Sequence, residues 1–302
     1  MPGAAPPRGI AYAEGRYMPL EDATIAMLDR GFVRSDATYD VVHVWKGRFF
    51  RLEDHLDRFE RSVAGLRMTL PLPREAIAAS LHGCVRRAGL EDAYVQMALT
   101  RGVPPPGTRD PKLCQNRFTA FAQPFVWIAN ETQQREGLSL AVTKTQRIPP
   151  EAVDTRIKNF HWLDMTMGIF EAQDRGADVP LLPDRDGNVT EGPGFNVFAL
   201  RGRTLVTPDR GMFEGMTRRS VIELAPELQL TVEERALHAS ELARAGEIFL
   251  TSTAGGIMPV ARLDGEPVGD GRPGPVTRAM HDLYWRRHEE GWLATPVDYD
   301  AA

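Results

Sequence analysis

Apolar and polar positions along the chain mark helices and strands without a regular order. Leu52, Leu56, Phe59, Val63 and Leu66 recur at helical spacing and predict a helix over 52–66. A second helix is predicted over 74–88, with Pro73 near its first turn. Leu163, Met167 and Phe170 mark another after Lys158, and 216–224 and 276–288 complete the set. Strands are predicted at 10–13 and 16–18 around the Glu14-Gly15 hairpin turn, and at 38–45 and 48–50 around Lys46-Gly47. Others follow at 93–100, 116–121, 138–145, 179–182, 196–200, 204–206 and 248–251. Asp29-Arg30-Gly31-Phe32 reads as a turn. The stretch 101–111 holds too much Pro and Gly for regular structure and has the length of a functional lid. Strands and helices mix without βαβ alternation, so the expected class is α+β. The expected domains are 1–126, a linker at 127–135 around a polar stretch, and 136–302 carrying Lys158.

Composition narrows the possible functions. Among 302 residues, 42% are hydrophobic and 25% charged, ordinary for a globular chain. A net charge of −5 with 36 dispersed basic residues makes nucleic acid a poor partner. No 18-residue apolar run occurs, and residues 1–8 lack a secretory apolar stretch, so no membrane partner and a cytoplasmic location are expected. Cys84 and Cys114 sit outside any metal-ligand spacing and read as two reduced thiols, and the seven histidines show no metal spacing either.

Several residues have the chemistry of an active site, each beside a plainer structural alternative. Lys158 lies between apolar Ile157 and Phe160, and partial burial lowers a lysine's pKa enough for Schiff-base chemistry, although most lysines are solvated. Glu191 follows a turn and precedes Gly192 and Gly194; it is either a turn carboxylate or one aimed at a cofactor's ring nitrogen. Gly215-Met216-Thr217-Arg218 opens a helix whose N–H groups suit a phosphate, or is an ordinary helix start. Thr251-Ser252-Thr253-Ala254-Gly255-Gly256 is a phosphate cradle or a Ser/Thr turn. Arg58 is a phosphate partner or a surface arginine, and Arg34 or Arg109 is a candidate for a substrate carboxylate.

Taken together, these stretches resemble the fold-type IV pyridoxal-phosphate (PLP) enzymes, across 10–299. The residues that carry the likeness are Gly31 to Val41, Gly47 to Arg58, Ile157-Lys158-Asn159 with Trp162, Thr190-Glu191-Gly192 with Gly194-Phe195-Asn196, Thr207 to Gly211, Thr217-Arg218, and Thr253 to Pro259. The pattern is most similar to the (R)-selective amine transaminases. It implies a two-domain homodimer with a small α/β sandwich domain and a larger pseudo-barrel domain. It also implies amino transfer from an (R)-amine or D-amino acid to a keto acid such as pyruvate. A D-amino-acid or branched-chain aminotransferase is the alternative, and an aminodeoxychorismate-lyase-like enzyme the more distant one. By the resemblance, Lys158 carries PLP and moves the proton, and Glu191 pairs with the pyridine nitrogen. Arg58, Thr217 and Thr253 hold the phosphate with N–H groups of Met216, Thr217 and Thr253, while Trp162, Phe195, Asn196 and Ser252 lie around the cofactor. Tyr39, Tyr94, Phe160 and Ala254 shape the substrate pocket, with Arg34 or Arg109 for a carboxylate. Two departures stand out. Arg34 replaces a histidine common in (R)-amine transaminases, and Pro104 to Pro106 occupy the loop that in the family presents a mobile arginine.

Overall fold

The computed structural model of the protein describes residues 9–300, so the reading of 1–8 lies outside it. Two compact units emerge. One holds the chain up to Val126 together with Ile157–Phe160 and the residues from Gly291 on; the other holds Trp127–Arg156 and His161–Glu290.

The first unit opens with a hairpin of β1 (Ile10–Ala13) and β2 (Arg16–Pro19). Its turn residues Glu14 and Gly15 both take positive φ, as a two-residue type I′ turn requires. A five-residue helix, α1 (Arg30–Arg34), stands where the sequence predicts a turn. Asp29 caps it by accepting the Gly31 N–H at 2.8 Å, and Ser35 closes it in the left-handed region. So short a helix offers no periodicity to read. Then come β3 (Ala37–Trp45), β4 (Arg48–Phe50), α2 (Leu52–Gly65), α3 (Arg74–Ala88), β5 (Ala93–Thr100) and β6 (Arg117–Pro124). A seven-stranded antiparallel sheet runs Ala294–Pro296, β4, β3, β5, β6, β1, β2. Strand alternation sorts its two faces. Val42, Val44, Val95, Met97 and Leu99 pack with Leu56, Phe59, Leu81 and Val85 into the core, whereas Tyr39, Val41 and Ala98 gather on the other face with Tyr94. Phe59 is fully buried, and Phe59→Ala is expected to cost about 3–5 kcal/mol in denaturant unfolding.

The second unit contains α4 (Glu131–Glu136), β7 (Leu138–Val142), α5 (Leu163–Asp174), β8 (Val179–Pro183), β9 (Val189–Glu191), β10 (Asn196–Arg201) and β11 (Thr204–Thr207). It continues with α6 (Met216–Leu224), β12 (Thr231–Glu234), α7 (Ala239–Leu242), β13 (Glu247–Ser252), β14 (Gly256–Leu263), β15 (Glu266–Pro267) and α8 (Pro275–Glu289). Its nine-stranded sheet has the order β12, β11, β10, β13, β14, β7, β8, β9, with β15 beside β14. Parallel pairs (β11–β12, β14–β7, β7–β8) mix with antiparallel ones, which makes the class α+β. Within the polar stretch at 129–134, Asn130 and Gln133 form a capping box that starts α4. The spacing of Leu163, Met167 and Phe170 finds α5 but not its buried face. Met165, Gly168 and Ala172 face inward, and the apolar trio is exposed.

In α8, His288 Nδ1 donates to the Tyr284 carbonyl at 2.8 Å, and burial lowers the imidazole to about 4. Between that value and about 6.5 the unfolded chain binds the extra proton and the folded chain does not. His288 therefore weakens the fold as pH drops through this window, by on the order of 3 kcal/mol at its acid end. His288→Asn is expected to flatten the stability–pH curve between pH 4 and 6.5 relative to the parent; superimposable slopes would contradict this. No helix among the described residues is long and apolar enough to cross a membrane.

Candidate active site

In the first unit, Lys158 is held along β3 by its main chain. Its carbonyl accepts the Tyr39 N–H at 3.0 Å and the Thr38 hydroxyl at 2.9 Å, and Asn159 bridges to Thr38. The side chain is half-buried, and its Nζ lies 4.6 Å from the centre of the Tyr39 ring. Phe160 packs against the same ring, centroids 4.6 Å apart. Tyr94 shares this face of the sheet and donates to Gln96 Oε1 at 3.4 Å. Burial, with the Asp40 charge second, pushes the Tyr94 phenol up to about 12, so it stays neutral. Lys158, Tyr39, Phe160 and Tyr94 thus belong to one surface. Arg34 and Arg109 are both exposed, and Arg34 donates to the Val33 carbonyl.

Arg58 is buried rather than a surface arginine, and two residues that sequence reasoning passed over explain why it can be. Asp40, on the helix-facing side of β3, accepts Arg58 Nε at 2.8 Å and Arg58 Nη2 at 2.7 Å. His55, one turn before Arg58 on α2, places Nδ1 2.8 Å from Asp40 Oδ1. Burial alone would push the Asp40 carboxyl up, but the Arg58 guanidinium and the hydrogen bonds from Arg58 and His55 hold it far below the usual carboxylate range. Burial lowers the His55 imidazole, against the opposing pull of the Asp40 carboxylate.

The second unit builds its own cluster around Glu191, at the end of β9 and 5% exposed. Pro193-Gly194 form the turn after it. Gly194 takes φ +81°, and Gly192 and Phe195 exchange hydrogen bonds of 3.1 and 3.2 Å across it. A side chain on Gly192 would collide with the Phe195 ring, which is why that turn carries glycine. Glu191 Oε1 accepts Arg147 Nε at 3.0 Å, and Oε2 accepts the Phe213 N–H at 2.8 Å. Asn196 donates to the Phe213 carbonyl at 2.8 Å, so Phe213 is held through both its N–H and its carbonyl. Ser252 Oγ donates to the Gly194 carbonyl at 2.7 Å and accepts the Ala254 N–H at 3.1 Å, which ties the Thr253-Ala254 turn to the Pro-Gly turn. A Cβ on Gly194 would come within 4.0 Å of the Trp162 ring, placing Trp162 beside that turn.

Met216 and Thr217 begin α6 and are buried. Gly215, at the N-cap, supplies no side-chain cap. A Cβ there would stand 2.2 Å from Asn196 Oδ1, so the helix start packs against β10 only with glycine at this place. Arg218 is a strap: it donates to Thr207 Oγ1, the Pro208 carbonyl and Glu234.

Residues 37–263 match the amino-transferase class IV family. The chain belongs to the class IV aminotransferases. These are PLP-dependent transaminases acting on amino and keto acids, and this chain has their fold-type IV architecture. It is 29% identical over 266 residues to a D-alanine aminotransferase of Bacillus licheniformis, covering 87% of this chain and 92% of that protein. A branched-chain-amino-acid aminotransferase of Pseudomonas aeruginosa is 27% identical over 283 residues, 92% of each. Among solved structures, the branched-chain amino acid aminotransferase of Thermobaculum terrenum in its PLP form superposes with a TM-score of 0.86 at 28% identity, covering 97% of this chain and 100% of that one.

The residues of this class IV aminotransferase fit the cofactor. A buried carboxylate paired with a guanidinium suits a protonated ring nitrogen, and an α-helix start without a side-chain cap suits a phosphate. Gly215→Ala is expected to weaken PLP binding at least severalfold in an absorbance titration, because the added methyl displaces Asn196 from the helix start. Arg147 and Asp164 are further members that sequence reasoning missed. A lone buried arginine in an Arg-Ile-Pro-Pro loop carries no signal apart from its position in space.

Proposed function

We propose that this transaminase moves an amino group from an (R)-amine or D-amino acid to a keto acid such as pyruvate by a ping-pong mechanism. The observation that carries the reading is the buried Glu191 carboxylate, held by Arg147 and the Phe213 N–H. When bound, PLP supplies the electron sink for the carbanion left by loss of the substrate's Cα proton. Lys158 Nζ would hold the cofactor covalently and would serve as the base that takes the substrate's Cα proton and returns it. Glu191 keeps the ring nitrogen protonated. Arg58, Thr217 and Thr253 bind the phosphate with N–H groups of Met216, Thr217 and Thr253. Trp162, Phe195, Asn196 and Ser252 pack around the cofactor, and Tyr39, Tyr94, Phe160 and Ala254 line the substrate.

The D-alanine aminotransferase relative supports the D or (R) preference, as does the motif likeness to (R)-amine transaminases. The branched-chain relatives support a second reading, transfer from branched-chain amino acids. Exposed Ile25, Met27, Leu28 and Phe32 support a homodimer, since so apolar a run is normally covered. Parallel assays separate the donors: (R)-1-phenylethylamine with pyruvate, D-alanine with 2-oxoglutarate, and L-leucine with 2-oxoglutarate. Acetophenone from the first pair, or turnover of the second, is expected; turnover of leucine alone would replace the proposal with the branched-chain reading. Arg34→Ala is expected to cost D-alanine turnover more than amine turnover, and equal losses would remove Arg34 from carboxylate recognition.

A further inference from the structure

A buried cation lies between two carboxylates next to β9. Arg147, 9% exposed, donates Nε to Glu191 Oε1 at 3.0 Å and Nη1 to Asp164 Oδ2 at 2.6 Å. Its own backbone is fixed, with its N–H on the Pro183 carbonyl at 2.9 Å. Asp164 is fixed as well. It accepts the Ile148 N–H at 2.8 Å on Oδ2 and the Met165 N–H, in the first turn of α5, at 2.9 Å on Oδ1. The Phe213 N–H takes the other oxygen of Glu191. We propose that Arg147, itself oriented by Asp164, is a positioning residue that sets the direction and the basicity of the Glu191 carboxylate and so decides where the proton between Glu191 and the cofactor's ring nitrogen rests. This inference rests on the PLP reading of Glu191.

The physical argument concerns a buried acid. A carboxylate taken out of water is driven toward its neutral form unless a cation and hydrogen bonds hold it ionised. Glu191 has both, one on each oxygen. With Arg147 in place, Glu191 is a weak base, and a proton shared with a pyridine nitrogen stays on the nitrogen. Without it, two carboxylates, Glu191 and Asp164, face burial with no cation between them, and Glu191 becomes basic enough to take that proton. A neutral Glu191 beside an unprotonated ring would leave the cofactor bound but a poor electron sink. Tight bonding of Arg147 on two sides also fixes the plane of the Glu191 carboxylate, which a lone Glu191 on a strand end would not achieve.

A merely structural strap between β9 and α5 would change stability and nothing else, so the test reads the ring proton. Protein loaded with ring-15N-labelled PLP is compared by 15N NMR for the parent, Arg147→Met and Arg147→Lys, with kcat, KM and PLP affinity measured in parallel. The parent is expected to give the protonated-nitrogen signal. Arg147→Met is expected to give the unprotonated one and to lose about 10²-fold in kcat, with less than about tenfold change in PLP affinity. Arg147→Lys, which keeps the charge, is expected to recover the protonated signal and part of kcat. Arg147→Met that binds PLP with the parent's signal and kcat overturns the proposal. If Arg147→Met does not fold, Arg147→Gln decides in the same way: loss of the protonated signal supports the proposal and retention overturns it. A parent protein that takes up no PLP would instead sink the reading of Glu191 itself.

Discussion

Lys158→Ala is expected to abolish amino transfer, a loss on the order of 10⁴-fold or more in kcat/KM, because in the proposed mechanism covalent attachment and proton movement depend on the same nitrogen. The fold should hardly register the change. Lys158 is positioned through its main chain, whose carbonyl serves Thr38 and Tyr39, and alanine preserves both hydrogen bonds. What is lost is a half-buried alkyl stem and an ammonium over the Tyr39 ring, worth about 1 kcal/mol or less. Thermal unfolding close to the parent's, with activity gone and the yellow colour of the loaded protein lost, is the expected pair of results. Retained amino transfer in the variant would remove Lys158 from the reaction.

Asp40→Ala carries an expected cost in stability as large as that of Phe59→Ala. Asp40 is completely buried and is the counter-charge of Arg58, which is itself 3% exposed. Removing the carboxylate strands a guanidinium inside the first unit and leaves His55 without this acceptor. Breaking a buried pair from one side costs about 3–5 kcal/mol. Denaturant unfolding should show this loss, and a change below about 1 kcal/mol would mean that Arg58 finds solvent when Asp40 is gone. The pH dependence has a definite sign. A folded-state carboxyl held below its unfolded value of about 3.9 contributes stability that is complete above that value. The contribution disappears as pH falls toward the folded value, so the parent should lose stability below about pH 4 more steeply than Asp40→Asn.

Much of this was legible in the chain. The β-branched and aromatic run 38–45 and the 3.6 period of 52–66 both record burial, along nearly the whole of β3 and along one face of α2. The α+β class followed from the absence of βαβ alternation, and the family from motifs spread over the whole chain. Lys158 stood out between apolar neighbours, and Glu191, Thr217 and Thr253 beside glycines, a turn and a helix start. What was not legible has specific causes. β14 contains Pro259 and begins at a glycine of positive φ, both of which read as breaks, yet Pro259 sits paired opposite Phe249. The exposed face of α5 shows that a period locates a helix without saying what covers its apolar side. Asp40, His55, Arg147 and Asp164 act through partners far away in sequence, and a single chain without its fold does not pair them.

The central claim is that Lys158 holds the cofactor, and chemical trapping tests it most directly. Protein loaded with PLP is reduced with borohydride, which fixes the cofactor to the amine carrying it, and is then digested and mapped by mass spectrometry. The account predicts a single phosphopyridoxyl group on the peptide containing Lys158, absent from Lys158→Ala. The same group on another lysine, or none on a protein that transfers amino groups, would contradict it.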